Sequence, residues 1–224
     1  MKKKILAIVL ARKNSKRIKN KNIKILKKKP LISWTLDVAK KINDFEDILV
    51  SSDSPRILKI SKSNNKKIII LKRPQKFSSD RSSSESAILH ALKWYEKKFS
   101  KIDYIALLQP TSPFRTKKTI NIGINKIINS KLNAVIAVKK VKFFSDKKKT
   151  FYITSKNFCK KLNKDHKLKQ KYKISGVFYL IKKSFFIKNK DFSPSIFKPI
   201  IINSKKENID IDTNQDWSYA KKFT

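Results

Sequence analysis

The chain has 224 residues and a formal net charge of +40, and 40% of its residues are hydrophobic, which is enough for the core of one domain. The charge first suggests a nucleic-acid or anionic-membrane partner. However, only six of the 56 basic residues are arginine, and lysine, isoleucine and asparagine share A/T-rich codons. We therefore attribute the charge to genome composition and predict no nucleic acid and no membrane as partner.

The amino terminus resembles a secretory signal peptide only in part. Lysines at positions 2–4 precede seven apolar residues, but this stretch is short, and Arg12 follows where a small-residue cleavage site would stand. We interpret it as a buried strand of a cytoplasmic protein. No segment reaches transmembrane length. Cys159 is the only cysteine, which excludes a disulfide framework or a cysteine-built zinc site within one chain.

The run at residues 5–11 and the loop at residues 12–22 form the first functional signal. A short unbroken apolar run suits a strand buried on both faces of a parallel sheet. Open α/β sheets bind ligands at the carboxyl ends of their strands. The following loop offers cations, the Ser15 hydroxyl and the amides of Asn14 and Asn22, which suit a phosphate chain. The alternative is a solvated loop of a lysine-rich protein. Neither a Walker A nor a GxGxxG pattern is present.

Apolar runs and helix-period patterns alternate up to about residue 140. Leu31, Trp34, Val38 and Ile42, for example, recur at helical spacing. Such alternation is typical of a parallel sheet with helices on both faces, so the sequence predicts an α/β fold. The expected strands are 5–11, 47–53, 67–71, 103–108, 134–138, 176–181 and 199–202, and the expected helices are 31–42, 57–63, a helix from Ser84, 117–130 and a helix from Asn214.

Residues 140–175 differ from the rest of the chain. The segment is rich in lysine and has few apolar periods, although residues 143–144 and 150–153 have strand character. Taken alone, it is compatible with a solvated insertion.

Three of the 16 acidic residues fall within seven positions near the carboxyl terminus. Asp210 and Asp212 alternate with isoleucines, so in an extended segment both carboxylates share one face. Two carboxylates together with substrate phosphates are a typical magnesium site. The alternative is a polar strand edge, with Asp212 or Thr213 beginning the last helix.

Two other polar loops follow predicted strands. Residues 109–115 contain two prolines that rigidify the loop, neutral side chains suited to a sugar or base, and the charge of Arg115. Arg73 and the serines before residue 84 form the second, where at least one serine is expected to be a helix cap. His90 lies within a helical pattern and is interpreted as a packing residue.

These segments resemble, in the same order, motifs of the acylneuraminate cytidylyltransferases, the CMP-sialic acid synthetases. The loop at 10–22 is similar to the family's nucleotide-binding loop, in which many members carry Pro-Ala-Arg-Gly-Gly-Ser-Lys. Here Leu10 replaces the proline, and Lys13 and Asn14 replace the glycines. The other matching segments are 50–53, Arg73-Pro74, 80–92, Gln-Pro-Thr-Ser-Pro at 109–113 with Arg115, Ser-Gly-Val-Phe-Tyr at 175–179, and Ile-Asp-Ile-Asp-Thr at 209–213.

The resemblance implies a Rossmann-like nucleotidyltransferase fold, with a mostly parallel central sheet, helices on both faces and a small dimerisation element. It covers nearly the whole chain, so residues 1–224 are expected to form a single cytidylyltransferase domain of a homodimer, with 140–175 as the dimerisation and sugar-binding insertion. The matching positions imply that Gln109 contacts the sugar acid and that Asp210 and Asp212 hold Mg²⁺. They imply a CTP site formed by Arg12, Ser15, Lys16, Lys21, Asn22, Arg73 and Ser84.

The implied reaction joins CTP to a nine-carbon 2-keto sugar acid and releases pyrophosphate. Lys21 and Arg12 are expected to neutralise charge on the pyrophosphate, and magnesium at Asp210 and Asp212 to polarise the α-phosphate. The predicted catalytic residues are therefore Lys21, Arg12 and Asp212. The identity of the base stays open, as does the choice among sialic, legionaminic and pseudaminic acids. The eight-carbon sugar Kdo is disfavoured because its synthetases carry a different first loop. The alternatives are a same-fold enzyme using another nucleotide or sugar, and a basic nucleic-acid-binding protein.

Overall fold

The computed structural model describes residues 3–62, 67–79, 82–128, 130–141, 150–162 and 170–224. Strands and helices alternate through the first 140 residues, as the sequence predicts. The strands are β1 Ile5–Leu10, β2 Ile25–Leu26, β3 Lys29–Pro30, β4 Phe45–Ser52, β5 Ile68–Lys72, β6 Tyr104–Leu107, β7 Ala134–Val141, β8 Phe151–Ile153, β9 Cys159–Lys161, β10 Lys171–Lys182 and β11 Ile196–Ile201. The helices are α1 Leu31–Ala39, α2 Pro55–Ser61, α3 Ser84–Lys98, α4 Lys117–Ile128, α5 Lys183–Asn189 and α6 Asn214–Lys221.

The central sheet has nine strands among the described residues, in the order β5-β4-β1-β6-β10-β7-β11-β9-β8. β1 pairs in parallel with β4 and β6, and β11 pairs in parallel with β7. β10 runs antiparallel to both of its main neighbours, β6 and β7. The α/β prediction is confirmed. The expected mostly parallel sheet is mixed among the described residues, with four parallel and five antiparallel strand pairings. The antiparallel pairings arise because β10 is reversed within the sheet and because the β8–β9 hairpin lies at its edge.

Helices cover both faces of the sheet, which explains why β1 is apolar throughout. Ala7 and Val9 pack in one buried cluster with residues of α1, α2 and α4, such as Leu36. Leu6 and Ile8 pack in the opposite cluster with residues of α3, such as Ile88. Each fully buried isoleucine or leucine contributes about 1.5–3 kcal/mol, so the doubly covered strand is a stable base for the loop that follows it.

The reversed strand β10 brings part of the 140–175 segment beside the carboxyl ends of the parallel strands. Tyr179 pairs with Leu107 at the end of β6, so the first half of β10 extends beyond that strand. In the same segment, β8 and β9 form a hairpin, and β9 pairs with β11 at the edge of the sheet. The strand character predicted for residues 150–153 is confirmed by β8, whereas residues 143–144 lie outside the described part of the chain. The dimerisation role of the segment stays a prediction.

Element ends differ from the predictions by a few residues. The first helix ends at Ala39 rather than at residue 42, and the strand expected at 176–181 is the second half of a longer strand. Helix α5 and strand β9 were not predicted. In the described residues, no helix combines the length and apolar character that a bilayer span requires.

Candidate active site

A cavity of about 820 Å³ opens at the carboxyl ends of β1 and β6. Its walls come from the loop after β1, the loop after β6, the first half of β10 and the segment before α6. The predicted site residues that line this cavity are Arg12, Ser15, Lys16, Lys21, Asn22, Ser84, Gln109, Asp210 and Asp212. Arg73, the remaining predicted residue, does not line it. The structure therefore brings together side chains that are up to 200 positions apart in the sequence.

Backbone and amide contacts hold the loop after β1 in place. The backbone N–H of Lys13 donates to Asp53 Oδ1 at 2.8 Å, and the Asn22 side-chain amide donates to the Arg12 carbonyl at 3.0 Å. Asn20 adopts a left-handed conformation (φ 53°) before a short 3-10 helix, Lys21–Ile23. Because the Asn22 amide is used within the loop, this residue shapes the site as well as lining it.

Lys21 joins this loop to the carboxyl-terminal aspartates. Its Nζ donates to Asp212 Oδ1 at 2.9 Å and to the Ile211 carbonyl at 2.8 Å. The lysine side chain is only 12% exposed, whereas the aspartate side chain is 54% exposed. The ammonium group is thus held in the cavity wall, next to the carboxylate that the sequence assigned to the metal.

Asp216 has a structural role and leaves the other two aspartates for the cavity. Its carboxylate accepts hydrogen bonds from the backbone of Asp212 and Thr213 at 3.0 and 2.8 Å, in a capping box at the start of α6. The expectation that Asp212 or Thr213 begins the last helix is met by Thr213, the cap residue. This cap fixes the backbone that carries Asp210 and Asp212 into the cavity.

Asp210 is the more buried of the two cavity carboxylates. Burial raises its pKa, the Thr111 hydroxyl opposes that shift by hydrogen bonding, and the neighbouring Asp212 raises it further. Its Oδ1 has no hydrogen-bond partner within the described residues. A buried carboxylate oxygen without a donor beside a second carboxylate fits a magnesium ion, which completes its shell with phosphate and water oxygens. No group of three or more acidic, His or Cys ligands is found in the described part of the chain.

A bulge in β10 shapes the floor of the cavity. Ile174 pairs with Val138 and Tyr179 with Ile136, so extra residues of β10 bulge between these pairs. Gly176 lies in the bulge at φ +78°, where a Cβ atom would stand 2.9 Å from Gln109 Oε1. Glycine is favoured here because other residues rarely adopt this left-handed conformation.

Arg115 does not line the cavity, which corrects the expectation that its charge faces a ligand. It is 2% exposed and donates to the Val177 carbonyl and the Thr35 hydroxyl at 2.9 and 2.6 Å, and also to the Gln109 carbonyl. Its guanidinium binds backbone carbonyls of two segments that line the cavity.

Arg73 is also buried, beside Asp53 and Arg12. Burial lowers the pKa of its guanidinium, and Asp53 opposes that shift. Its predicted contact with CTP stays a prediction.

Among the serines before α3, Ser83 caps the helix by accepting from Ser86 N at 3.1 Å, which confirms a capping role for one serine. His90 lies outside the cavity wall and packs on Phe77, with ring centroids 4.7 Å apart.

Sequence reasoning missed the far wall of the cavity. Lys161 of β9, Lys173 of β10, Tyr179 and Ser193 line it. In a chain with so many lysines these two gave no distinguishing signal, and their approach depends on the reversal of β10. Tyr179 is the last residue of the Ser-Gly-Val-Phe-Tyr motif at 175–179. Its burial raises the pKa of its phenol.

The chain is similar to known proteins over nearly its whole length. A model of the family described as cytidylyltransferase matches residues 6–223. The chain is 31% identical to the CMP-N,N'-diacetyllegionaminic acid synthase of Legionella pneumophila, with 98% of this chain and 95% of that protein covered. It is 27% identical to the pseudaminic acid cytidylyltransferase of Campylobacter jejuni, with 96% and 94% covered.

The fold is shared with a solved structure at low identity. CMP:2-keto-3-deoxy-manno-octonic acid synthetase, in a complex with CTP, superposes with a TM-score of 0.76 over 98% of both chains, at 12% sequence identity. That likeness concerns the fold alone. The match of the family model over nearly the whole chain, together with the full-length relatives, shows that this chain belongs to the cytidylyltransferase family.

Proposed function

We propose that this chain transfers CMP from CTP to a nine-carbon 2-keto sugar acid of the sialic, legionaminic or pseudaminic type. The anomeric hydroxyl oxygen forms a bond to the α-phosphorus, the bond to the bridging α–β oxygen breaks, and pyrophosphate leaves. The proposal depends above all on one observation, which is that the cationic loop after β1 and the two carboxylates before α6 line the same cavity. The names of the full-length relatives support the choice of sugar.

The cationic loop is proposed to bind the triphosphate. Arg12, Lys16 and Lys21 all reach the cavity wall, and transfer of a phosphoryl-type group depends on placement and charge stabilisation. Lys21 and Arg12 would neutralise the negative charge that grows on the departing pyrophosphate. Ser15 and Ser84 offer hydroxyl donors in the same cavity.

Asp210 and Asp212 would hold the magnesium ion, and the orphaned Oδ1 of Asp210 supports this assignment. A bound divalent cation at this position supplies charge neutralisation at the α-phosphate and lowers the pKa of a coordinated hydroxyl. Asp212 is the more exposed carboxylate and already contacts Lys21. One of the two carboxylates would receive the proton that the attacking hydroxyl loses.

The far wall is proposed to recognise the sugar acid. Lys161 and Lys173 place positive charge there, which suits the carboxylate of the sugar. Gln109 and Ser193 add neutral hydrogen-bonding groups for its hydroxyl or amide substituents. We further propose that the protein works in the cytoplasm as a homodimer and that residues 140–175 contribute to the contact between subunits.

The test is pyrophosphate release from purified protein with CTP, magnesium and a panel of sialic, legionaminic and pseudaminic acids and Kdo. The expected result is release with one nine-carbon acid, abolished by chelation of the metal, and formation of the matching CMP-sugar by mass spectrometry. Release with Kdo alone would correct the substrate. Absence of release across the panel, together with absence of CTP binding by calorimetry, would refute the proposal.

A further inference from the structure

A buried arginine links three segments that meet below the cavity. Arg115 is 2% exposed, and its guanidinium donates in three directions. Nε reaches the Val177 carbonyl of β10 at 2.9 Å, and Nη1 reaches the Thr35 hydroxyl of α1 at 2.6 Å. Nη2 reaches the Gln109 carbonyl in the loop after β6. One planar group therefore fixes three segments that are distant in the sequence.

Two of these acceptors lie next to atoms of the cavity wall. Gln109 accepts through its backbone while its side chain lines the cavity, and Val177 directly follows Gly176 in the bulge. At Gly176 the missing Cβ would stand 2.9 Å from Gln109 Oε1 and 3.4 Å from Asp210 Oδ2. Gly176 therefore lies close to both the Gln109 side-chain amide and the Asp210 carboxylate, and the position of the bulge affects the distance between these two groups.

Two nearby carboxylates stabilise the positive charge of Arg115. Burial lowers the pKa of the guanidinium to about 9, and the carboxylates of Asp210 and Glu207 oppose that shift. Asp210 is a cavity residue, whereas Glu207 accepts from the backbone N–H of Thr116 at 3.0 Å. Arg115 thus has an electrostatic as well as a hydrogen-bonded connection to the cavity.

We propose that Arg115 is a positioning residue that holds Gln109 and the Gly176 bulge against Asp210 and thereby sets the affinity for the sugar acid, with little effect on CTP. This rests on the proposed function for the identity of the sugar acid. Only a guanidinium has donors spread in one plane toward three acceptors. A lysine at this position keeps the charge but is a point donor, so it leaves acceptors unpaired.

The test uses Thr35, which is fully buried, lies outside the cavity wall and anchors one end of the guanidinium. Thr35→Val is nearly isosteric and removes the acceptor, whereas Thr35→Ser keeps the hydroxyl and is the matched control. Ile57→Val, at a buried position of α2, controls for general loss of stability. Arg115→Lys is the stronger perturbation if it folds.

The kinetic expectation is a split between the two substrates. Loss of the buried hydrogen bond in Thr35→Val should raise the KM for the sugar acid about fivefold or more, and Arg115→Lys should raise it further. The CTP affinity measured by calorimetry should change less than about twofold. Thr35→Ser and Ile57→Val should leave both constants unchanged. Equal losses for CTP and sugar, or an unchanged KM for the sugar in Thr35→Val, would overturn the proposal.

A second readout does not depend on the activity. The chain has two glycines, so ¹⁵N-glycine labelling yields two backbone signals, and ¹³C-carbonyl labelling of isoleucine identifies Gly123, which follows Ile122. Thr35→Val should shift the Gly176 signal, and Thr35→Ser should leave it in place. An unmoved Gly176 signal would refute the positioning role even if no sugar acid were turned over. If the wild-type protein is inactive but Thr35→Val still shifts the Gly176 signal, the result counts against the proposed function alone.

Discussion

The Lys21–Asp212 contact allows stability and catalysis to be separated in one variant, Lys21→Ala. The ammonium lies 2.9 Å from Asp212 Oδ1 and 2.8 Å from the Ile211 carbonyl, and the carboxylate is about half exposed. An ion pair with one exposed partner stabilises a fold by about 0.2–1 kcal/mol, and a hydrogen bond adds about 1 kcal/mol. Removing Lys21 should therefore cost about 1–2 kcal/mol of folding free energy.

The catalytic loss should be larger. Loss of one donor that stabilises charge in the transition state costs about 2.7–4 kcal/mol, or roughly a hundredfold to a thousandfold in turnover. We expect Lys21→Ala to lower kcat by at least about a hundredfold, as measured by pyrophosphate release at saturating CTP. The protein should still unfold cooperatively in a thermal melt. Asp212→Asn, which removes the negative charge of one of the two proposed metal ligands, should lose most activity and still fold.

The matched control is Lys19→Ala. Lys19 is an exposed residue of the same loop, and its side chain does not line the cavity. Its activity should stay within about twofold of the wild type, because isolated surface charges are screened by salt. Near-normal turnover in Lys21→Ala would remove this residue from the mechanism. An equal loss in both variants would indicate a general charge effect of the loop.

Two further predictions concern stability. Gly176→Ala should lower the free energy of unfolding by about 1–3 kcal/mol, since φ is +78° and the new Cβ would approach Gln109 Oε1 at 2.9 Å; an unchanged denaturation midpoint would contradict this. Burial and the hydrogen bond to Asp47 raise the pKa of the Tyr95 phenol in the folded protein. Tyr95 therefore contributes its full stabilisation below the unfolded pKa of about 10, and this contribution is lost as the pH rises from there through the folded-state pKa. In denaturant titrations across this range, Tyr95→Phe should therefore lose less stability than the wild type, whereas the exposed control Tyr219→Phe should behave like the wild type.

Local patterns in the sequence were sufficient to predict most of the first half of the fold. The apolar run at residues 5–11 contains β1, Ile5–Leu10, whose two faces are both covered. The loop after it lines the cavity at the carboxyl end of this parallel strand, as the rule for open α/β sheets predicts. Asp210 and Asp212 both reach the cavity, as their alternation with isoleucines predicted. These features depend on side-chain period and chain direction, which can be read locally.

Long-range pairing explains what was missed. The reversal of β10 depends on its register with β6 and β7, and no property of residues 171–182 alone specifies that direction. Arg115 was expected to face a ligand, and its burial is explained by acceptors and carboxylates contributed from distant segments. The glycines did offer a signal, because the chain has only two and at each of them a Cβ atom would stand closer than 3.0 Å to a neighbouring side chain.

The scarce acidic residues are more informative about this site than the abundant lysines. With 56 basic and 16 acidic residues, a lysine in a loop distinguishes little, whereas a carboxylate marks a place where negative charge has a specific use. Asp53 holds the first loop, Asp212 holds Lys21, Asp216 caps the segment that carries the cavity aspartates, and Glu207 accepts from the backbone before α4. It is the carboxylates that fix particular cations and backbone segments around the cavity, so variants at these acidic positions should alter the site more than variants at most lysines.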